Sequence, residues 1–254
     1  MYCNPVKKKL LEGRPSFGSW IQVPHPAVAE ILSGAGFDWL AVDMEHSDAG
    51  VSRYSDIIRG MYGRGPVPMA RVQENDTLVI RRLLDAGAWG VIVPMVNCAQ
   101  EAKKAVQAVR FPPEGIRGTG FARANDYGAG FDEYLAASRD ILVMVMCETM
   151  QSVDNIEEIV AVDGVDGVFM GPYDLSMSYG IPGKTNEPVM AKARAKVLAA
   201  CKKAGKAPGL HHFTMTKESI QSVIDEGFLF IALGVDASFI QAGSRAAFAA
   251  ATGK

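Results

Sequence analysis

Two acidic residues, each at the far end of an apolar run, are the strongest chemical signal in the chain. Glu148 closes ILVMVMCE, residues 141–148, and Asp174 closes VDGVFMGPYD, residues 165–174. If the two runs are neighbouring parallel strands, side chains just past their C-terminal ends converge on one mouth, where β/α proteins build their sites. Two carboxylates meeting there repel each other unless a positive charge lies between them. A divalent cation is the direct candidate. The plainer alternative gives them separate helix-capping roles, since Asp174 stands just ahead of Leu175 and Ser176.

Other residues at run ends bear on the same chemistry. The second run ends Val42-Asp43-Met44-Glu45-His46, and strand alternation prevents Asp43, Glu45 and His46 from all pointing the same way. A histidine leaving a strand beside an acid has the makings of a general base, with Asp43 placed to fix its tautomer and raise its basicity. A surface or capping histidine is the competing reading. Arg71 ends PVPMAR, where a guanidinium can stabilise a developing oxyanion. An ion pair with Glu45 or Asp85 would explain it equally well. Gly171-Pro172-Tyr173-Asp174 reads as a tight turn whose backbone N–H groups can hold a carboxylate. His25, between two prolines, reads as structural, and Cys147 as a packing residue.

The elements that position these groups are legible as eight apolar runs at fairly even spacing: 17–23, 39–45, 66–72, 90–96, 141–148, 167–172, 207–213 and 228–236. Near-continuous apolar runs suit parallel strands covered on both faces. Helical segments separate them. Pro26 to Ser33 opens with proline and stops near Gly34. Ser52 to Tyr62 follows, and Asp76 is placed to N-cap TLVIRRLLDAG, with Leu78, Leu83 and Leu84 expected on one apolar face. AQEAKKAVQAVR comes next. Pro188 to Ala204 and Lys217 to Glu226 end at glycines, and Ser238 to Ala251 is an alanine-rich last helix. The expected fold is a single (β/α)8 TIM barrel over residues 1–254. No G-x-G-x-x-G opens the first unit to suggest a doubly wound sheet instead. A Gly- and Pro-rich insertion at 111–134, carrying Arg117 and Arg123, breaks the rhythm. It is expected to be a surface excursion, a lid or a subunit contact.

The bulk properties bound the function classes. The 254 residues are 48% hydrophobic and 21% charged, which predicts a large buried core. A net charge of −2 gives no electrostatic case for nucleic acid or an anionic membrane. Cys3, Cys98, Cys147 and Cys201 have no C-x-x-C spacing, so reduced thiols are expected. The start MYCNPVKKKLLEG lacks the apolar core of a secretory signal, and no run approaches a membrane span. A soluble cytoplasmic location is the expectation.

Taken together, AGFDWLAVDMEHS, the Arg71 run, LLDAGAWGVIVPMV, RFPPEGIRGTG, Glu148-Thr149 and GVDGVFMGPYDLS resemble the class II pyruvate-dependent hydroxy-ketoacid aldolases of the HpcH/HpaI type. The resemblance runs from about residue 7 to 250, with the motifs in order. It implies a phosphoenolpyruvate/pyruvate-binding type barrel that binds Mg2+, Mn2+ or Co2+ through Glu148 and Asp174. Pyruvate would chelate the ion through its keto and carboxylate oxygens, and its carboxylate would meet backbone amides near Tyr173 and Asp174. His46, supported by Asp43, would move protons, and Arg71 would steady the enolate. Pyruvate with a small aldehyde, or a 4-hydroxy-2-oxoacid, are the implied partners. The resemblance also implies a homo-oligomer, a hexamer, whose C-terminal helix packs on a neighbouring subunit and whose Asp85 is contributed to the neighbour's site.

Two positions depart from the family. Met146 stands where relatives commonly carry glutamine, which bears on metal affinity and acceptor choice. The seventh run ends Leu210-His211-His212-Phe213, more basic and aromatic than in those relatives. One of its histidines is expected to face the mouth, either binding the acceptor's distal group or filling space, with His212 taken as the substrate contact. Three other readings share the barrel. They are enolate formation by decarboxylating oxaloacetate, as in macrophomate synthase-like relatives; a citrate-lyase-like carbon–carbon lyase; and a non-catalytic carboxylate-binding barrel. No lysine ends a run to form a Schiff base, which counts against a class I aldolase.

Overall fold

Eight apolar runs become, in the computed structural model, eight parallel strands closed into a barrel in chain order. The structure describes residues 3–253. In order the elements are α1 (Pro5–Leu11), β1 (Ser16–Ile21), α2 (Pro26–Ser33), β2 (Trp39–Asp43), α3 (Val51–Gly60), β3 (Val67–Arg71), α4 (Thr77–Ala86), β4 (Gly90–Val93) and α5 (Ala99–Val109). Then come α6 (Phe131–Ala136), β5 (Leu142–Cys147), α7 (Met150–Asp154), α8 (Ile156–Val160), β6 (Gly167–Met170), α9 (Pro172–Ser178), α10 (Pro188–Ala204), β7 (Ala207–His212), α11 (Lys217–Glu226), β8 (Phe230–Val235) and α12 (Asp236–Thr252). The expected single barrel is what forms. α1 was not foreseen: Val6 and Leu10 join the core inside the barrel, and Asn4 ties its start to the Trp89 carbonyl at 2.7 Å.

Strand alternation divides the apolar residues into two cores. One lies between sheet and helices, and the other fills the barrel lumen with Trp20, Trp39, Met69, Met144, Met146, Phe169 and Phe230. Trp39 stacks on Phe230 with centroids 4.1 Å apart, and Trp20 meets Phe169 edge-on at 5.5 Å. Gly18 makes room for this packing, since a Cβ there would lie 2.0 Å from the Trp39 ring. A lumen filled with side chains is a core, not a pore, so chemistry is left to the rims.

Helix ends follow local rules. Asp76 caps α4, its carboxylate accepting from the Val79 N–H at 2.8 Å, and Gly87 ends the helix in the left-handed conformation. His25 is structural in a specific sense: its Nδ1 accepts from the Ala27 N–H and caps α2. One face was misread. Ile80, Leu83 and Leu84 are buried, whereas Leu78 is exposed. Five residues along a helix rotate a side chain by about 140°, so Leu78 and Leu83 cannot share a face.

The insertion is folded rather than loose. Arg117 is buried, its guanidinium 4.7 Å from the Phe111 ring centroid and 5.2 Å from that of Tyr134, and it pairs with Asp85 on α4 at 2.8 Å. Arg123 donates to the Ala86 carbonyl at 3.1 Å. Two arginines thus pin the segment to α4.

Candidate active site

Every second strand residue points into the lumen, and on four strands that register brings an ionisable residue to the rim. β2 ends in Asp43, β3 in Arg71, β5 leads through Met144 and Met146 to Glu148, and β7 brings up His211. Parallel pairing sets Asp43 directly opposite Arg71. The guanidinium grips the carboxylate with two bonds, Nε to Oδ1 at 2.8 Å and Nη2 to Oδ2 at 2.5 Å. It also lies 3.4 Å from Glu45 and 4.7 Å over the Trp20 ring. Gln22, past the end of β1, donates to Asp43 Oδ2 at 2.8 Å. Burial alone would raise the Asp43 carboxyl. The Arg71 bonds and charge, with Gln22 and the His46 amide, outweigh it and hold the group below its usual value.

That pairing corrects one expectation. Asp43 does not hold the His46 imidazole. Its Oδ1 accepts the backbone N–H groups of Glu45 and His46, each at 3.2 Å, so it fixes the turn that carries the histidine. The His46 ring is half-exposed, with Nε2 3.8 Å from Glu45 Oε2. The reason is geometric. Asp43 points into the lumen, where the fork of Arg71 reaches both its oxygens, while the chain has turned away by residue 46. Arg71 is therefore ion-paired with Asp43 and Glu45, and Asp85 belongs to Arg117.

Glu148 and Asp174 come to the same place. A Cβ built on Gly171 would lie 3.1 Å from Glu148 Oε2 and 3.4 Å from Asp174 Oδ2, so both carboxylates border the space that glycine leaves open. Glu148 is 4% exposed, and its other oxygen accepts the Met95 N–H at 2.6 Å. Met95 itself holds a positive φ of 54° to present that amide. Burial, reinforced by the charges of Glu45 and Asp174, pushes the Glu148 carboxyl up to about 7. The Asp174 carboxylate, on the first turn of α9, makes no hydrogen bond among the described residues. The N–H groups of Tyr173 and Asp174 also find no acceptor among them. Pro172 opens the helix without an N–H of its own.

The donor set fits a hard divalent cation. It consists of oxygens, one of them on a buried carboxyl whose ionisation the site disfavours until a positive charge arrives. Among the described residues no three His, Cys, Asp or Glu side chains close into a metal cage. The pair would thus leave an ion several open positions. Cys147 is not a competing ligand: burial pushes its thiol up to about 11, and its sulfur accepts from Ser152. Met146 packs in the lumen core two residues inward of Glu148, so the layer beneath the carboxylate is apolar.

The β7 histidines part ways, and His212 is a correction. It turns outward to Ser219 Oγ on α11 at 2.9 Å. His211 is the inward one, 3.9 Å from the Phe213 ring and 6.0 Å from Trp20, with Nε2 donating to the Gly234 carbonyl at 2.9 Å. Counting by two from Ala207 and Gly209, which face the lumen, would have selected it. Trp20, Gln22 and the Met95 amide were also missed, because their roles depend on partners far away in sequence.

A groove of about 760 Å³ lined by Met61, Tyr62, Trp89 and Arg123 lies at the opposite, N-terminal rim. It is remote from the carboxylates.

Known proteins resemble this chain in sequence and in fold. A family model described as HpcH/HpaI aldolase/citrate lyase matches residues 16–242. Over 247 residues the chain is 38% identical to the 4-hydroxy-2-oxo-heptane-1,7-dioate aldolase of Salmonella typhimurium, covering 96% of this chain and 92% of that one. Among solved structures, an HpcH/HpaI aldolase/citrate lyase family protein from Burkholderia cenocepacia matches with a TM-score of 0.91 and 33% identity, over 96% of this chain and 98% of that one. An HpcH/HpaI aldolase from Desulfitobacterium hafniense matches at 0.88 and 28%, over 95% and 94%.

Proposed function

Because the chain belongs to the HpcH/HpaI aldolase/citrate lyase family, we propose that it is a metal-dependent aldolase reversibly cleaving a 4-hydroxy-2-oxoacid to pyruvate and an aldehyde. The observation that carries this is the pair Glu148 and Asp174 bordering Gly171 in the same barrel mouth as the Asp43-held guanidinium of Arg71. Mg2+, Mn2+ or Co2+ held by the two carboxylates supplies, when bound, Lewis-acid polarisation of the 2-oxo group.

The chain's own groups do the rest. Asp43 occupies Nε and one N–H of Nη2, leaving Nη1 of Arg71 without a hydrogen bond among the described residues and free for the oxygen where enolate charge develops. The Tyr173 and Asp174 amides, which lack acceptors among the described residues, take the substrate carboxylate. In cleavage His46 removes the 4-hydroxyl proton, the C3–C4 bond breaks toward the 2-oxo group, and the proton returns to C3 to give the pyruvate methyl. Among the described residues no strand ends in a lysine able to form a Schiff base instead.

The assembly we infer is a cytoplasmic homo-oligomer, a hexamer, with α12 and Asp85 at its subunit contacts. Ile240 and Phe248 of α12 are exposed in the single chain, which supports an interface there. No helix among the described residues is long and apolar enough to cross a membrane.

The decisive experiment follows exchange of the pyruvate methyl protons for deuterium by NMR, using Mn2+-loaded protein. Exchange well above background is expected, falling by about 100-fold or more in His46→Ala. No exchange above background, together with no effect of that substitution, would overturn the reading.

A further inference from the structure

The rim of the mouth carries a feature that the donor chemistry does not use. Four aromatic side chains form a continuous wall from the lumen to the surface. Trp20, under Arg71, meets His211 at 6.0 Å; His211 meets Phe213 at 3.9 Å; and Phe213 meets Tyr173 edge-on at 6.0 Å. Tyr173, on the first turn of α9, and Phe213, directly after β7, are 55% and 51% exposed, so the outer end of the wall presents open ring surface beside Asp174. Met95, on the loop after β4, and Met215, on the same loop as Phe213, are exposed as well.

Charge around the mouth runs the other way. The loops that follow the strands at 22–25, 44–50, 72–76, 94–98 and 213–216 contain Glu45, Asp48, Glu74 and Asp76, but no lysine or arginine; the longer segment between α9 and α10, 179–187, carries an exposed Lys184 together with Glu187. Arg71 is engaged by Asp43 and Glu45. With Asp43, Glu45, Glu148 and Asp174 around one guanidinium, a divalent ion and the pyruvate carboxylate still leave the balance negative. A second carboxylate on the acceptor would meet that negative balance, with no lysine or arginine on those five loops to offset it.

We propose that the acceptor is an uncharged aromatic aldehyde of the benzaldehyde class, its ring lying against Phe213 and Tyr173; this rests on the aldolase reading above. C3 of pyruvate bonds to the aldehyde carbon, and the proton leaving C3 ends on the new 4-hydroxyl, so nothing is oxidised or reduced. His211 completes the wall as a neutral ring. Its Nε2–H is committed to the Gly234 carbonyl, and burial draws its basicity down to about 4.

The test pairs pyruvate with benzaldehyde, succinate semialdehyde and glycolaldehyde on Mn2+-loaded full-length protein, reading kcat/KM from product mass. Benzaldehyde is expected to exceed succinate semialdehyde by about tenfold or more. Loss of one ring contact in Phe213→Ala, or in Tyr173→Leu should the first variant fold poorly, is expected to cut that ratio roughly three- to tenfold. Benzyl alcohol, which cannot react, supplies a readout independent of turnover. Saturation transfer to its ring is expected in the wild type and diminished in the variants. A preference for succinate semialdehyde, or a ratio indifferent to both substitutions, overturns the proposal. Deuterium exchange into pyruvate without aldehyde separates the two readings. Exchange without aromatic preference removes this inference alone, and absence of exchange removes the aldolase reading with it.

Discussion

Glu148 concentrates the residue-scale physics of the site. A buried carboxyl beside Glu45 and Asp174 stays protonated up to about pH 7 in the absence of a counter-ion. Its folded value lies above its unfolded one. Its protonated form therefore stabilises the metal-free fold fully below the unfolded value, and that contribution is lost as pH rises through about 7. A cation reverses the preference, because binding displaces the proton. Mn2+ affinity, measured by calorimetry, is therefore expected to climb by up to about tenfold per pH unit below 7 and to level off above it. Equal affinity at pH 5.5 and pH 8 would refute this, as would unchanged titrations in Glu148→Ala and Asp174→Ala. The residue types at run ends made this pair legible from sequence. What they did not show was the partner of Asp43, since the histidine three positions away looked nearer than an arginine 28 positions on, which strand pairing places opposite.

Elements carry information that single residues lack, and parity is the main case. Strand β5 presents Leu142, Met144, Met146 and then Glu148 inward, a series that follows from the period of two once any one member is known to face the lumen. The same counting on β7 selects His211 over His212. Gly18 is the element-scale constraint on β1, where only a hydrogen fits against the Trp39 ring. Gly18→Ala is expected to cost about 3 kcal/mol or more, since the ring is locked between Trp20 and Phe230 and has nowhere to move. Urea unfolding would measure it, and a midpoint like that of the wild type would show the lumen to be softer than its packing implies. Run boundaries were read well because turns and glycines punctuate them. The fold of the insertion was not, because Arg117 is placed by Phe111, Tyr134 and Asp85 rather than by any local periodicity.

At the scale of the whole molecule, the barrel separates support from chemistry. α1 and the aromatic lumen fill the body, and the C-terminal rim collects four carboxylates, one arginine and an aromatic wall. Asp236, buried at the start of α12, accepts the Gln22 and Val23 amides and so ties the last helix to the first strand's end. Beyond that tie α12 runs largely exposed. Sedimentation of the purified protein is expected to give a particle several times the 27.2 kDa chain, and removal of residues 239–254 to reduce it. A monomer in the intact protein would refute the assembly inferred from that helix.

By itself the sequence determined the number and order of strands, the parallel barrel and the acidic residues at the ends of the fifth and sixth strands. Those depend on periodicity and on short-range punctuation, which a linear chain displays. Only the tertiary structure decided that Arg71 rather than His46 takes the Asp43 carboxylate, that Gly171 opens the space between Glu148 and Asp174, and that His211 joins Trp20, Phe213 and Tyr173 in one wall. Each of these is a contact between strand ends far apart in sequence, brought together when the barrel closes in one register.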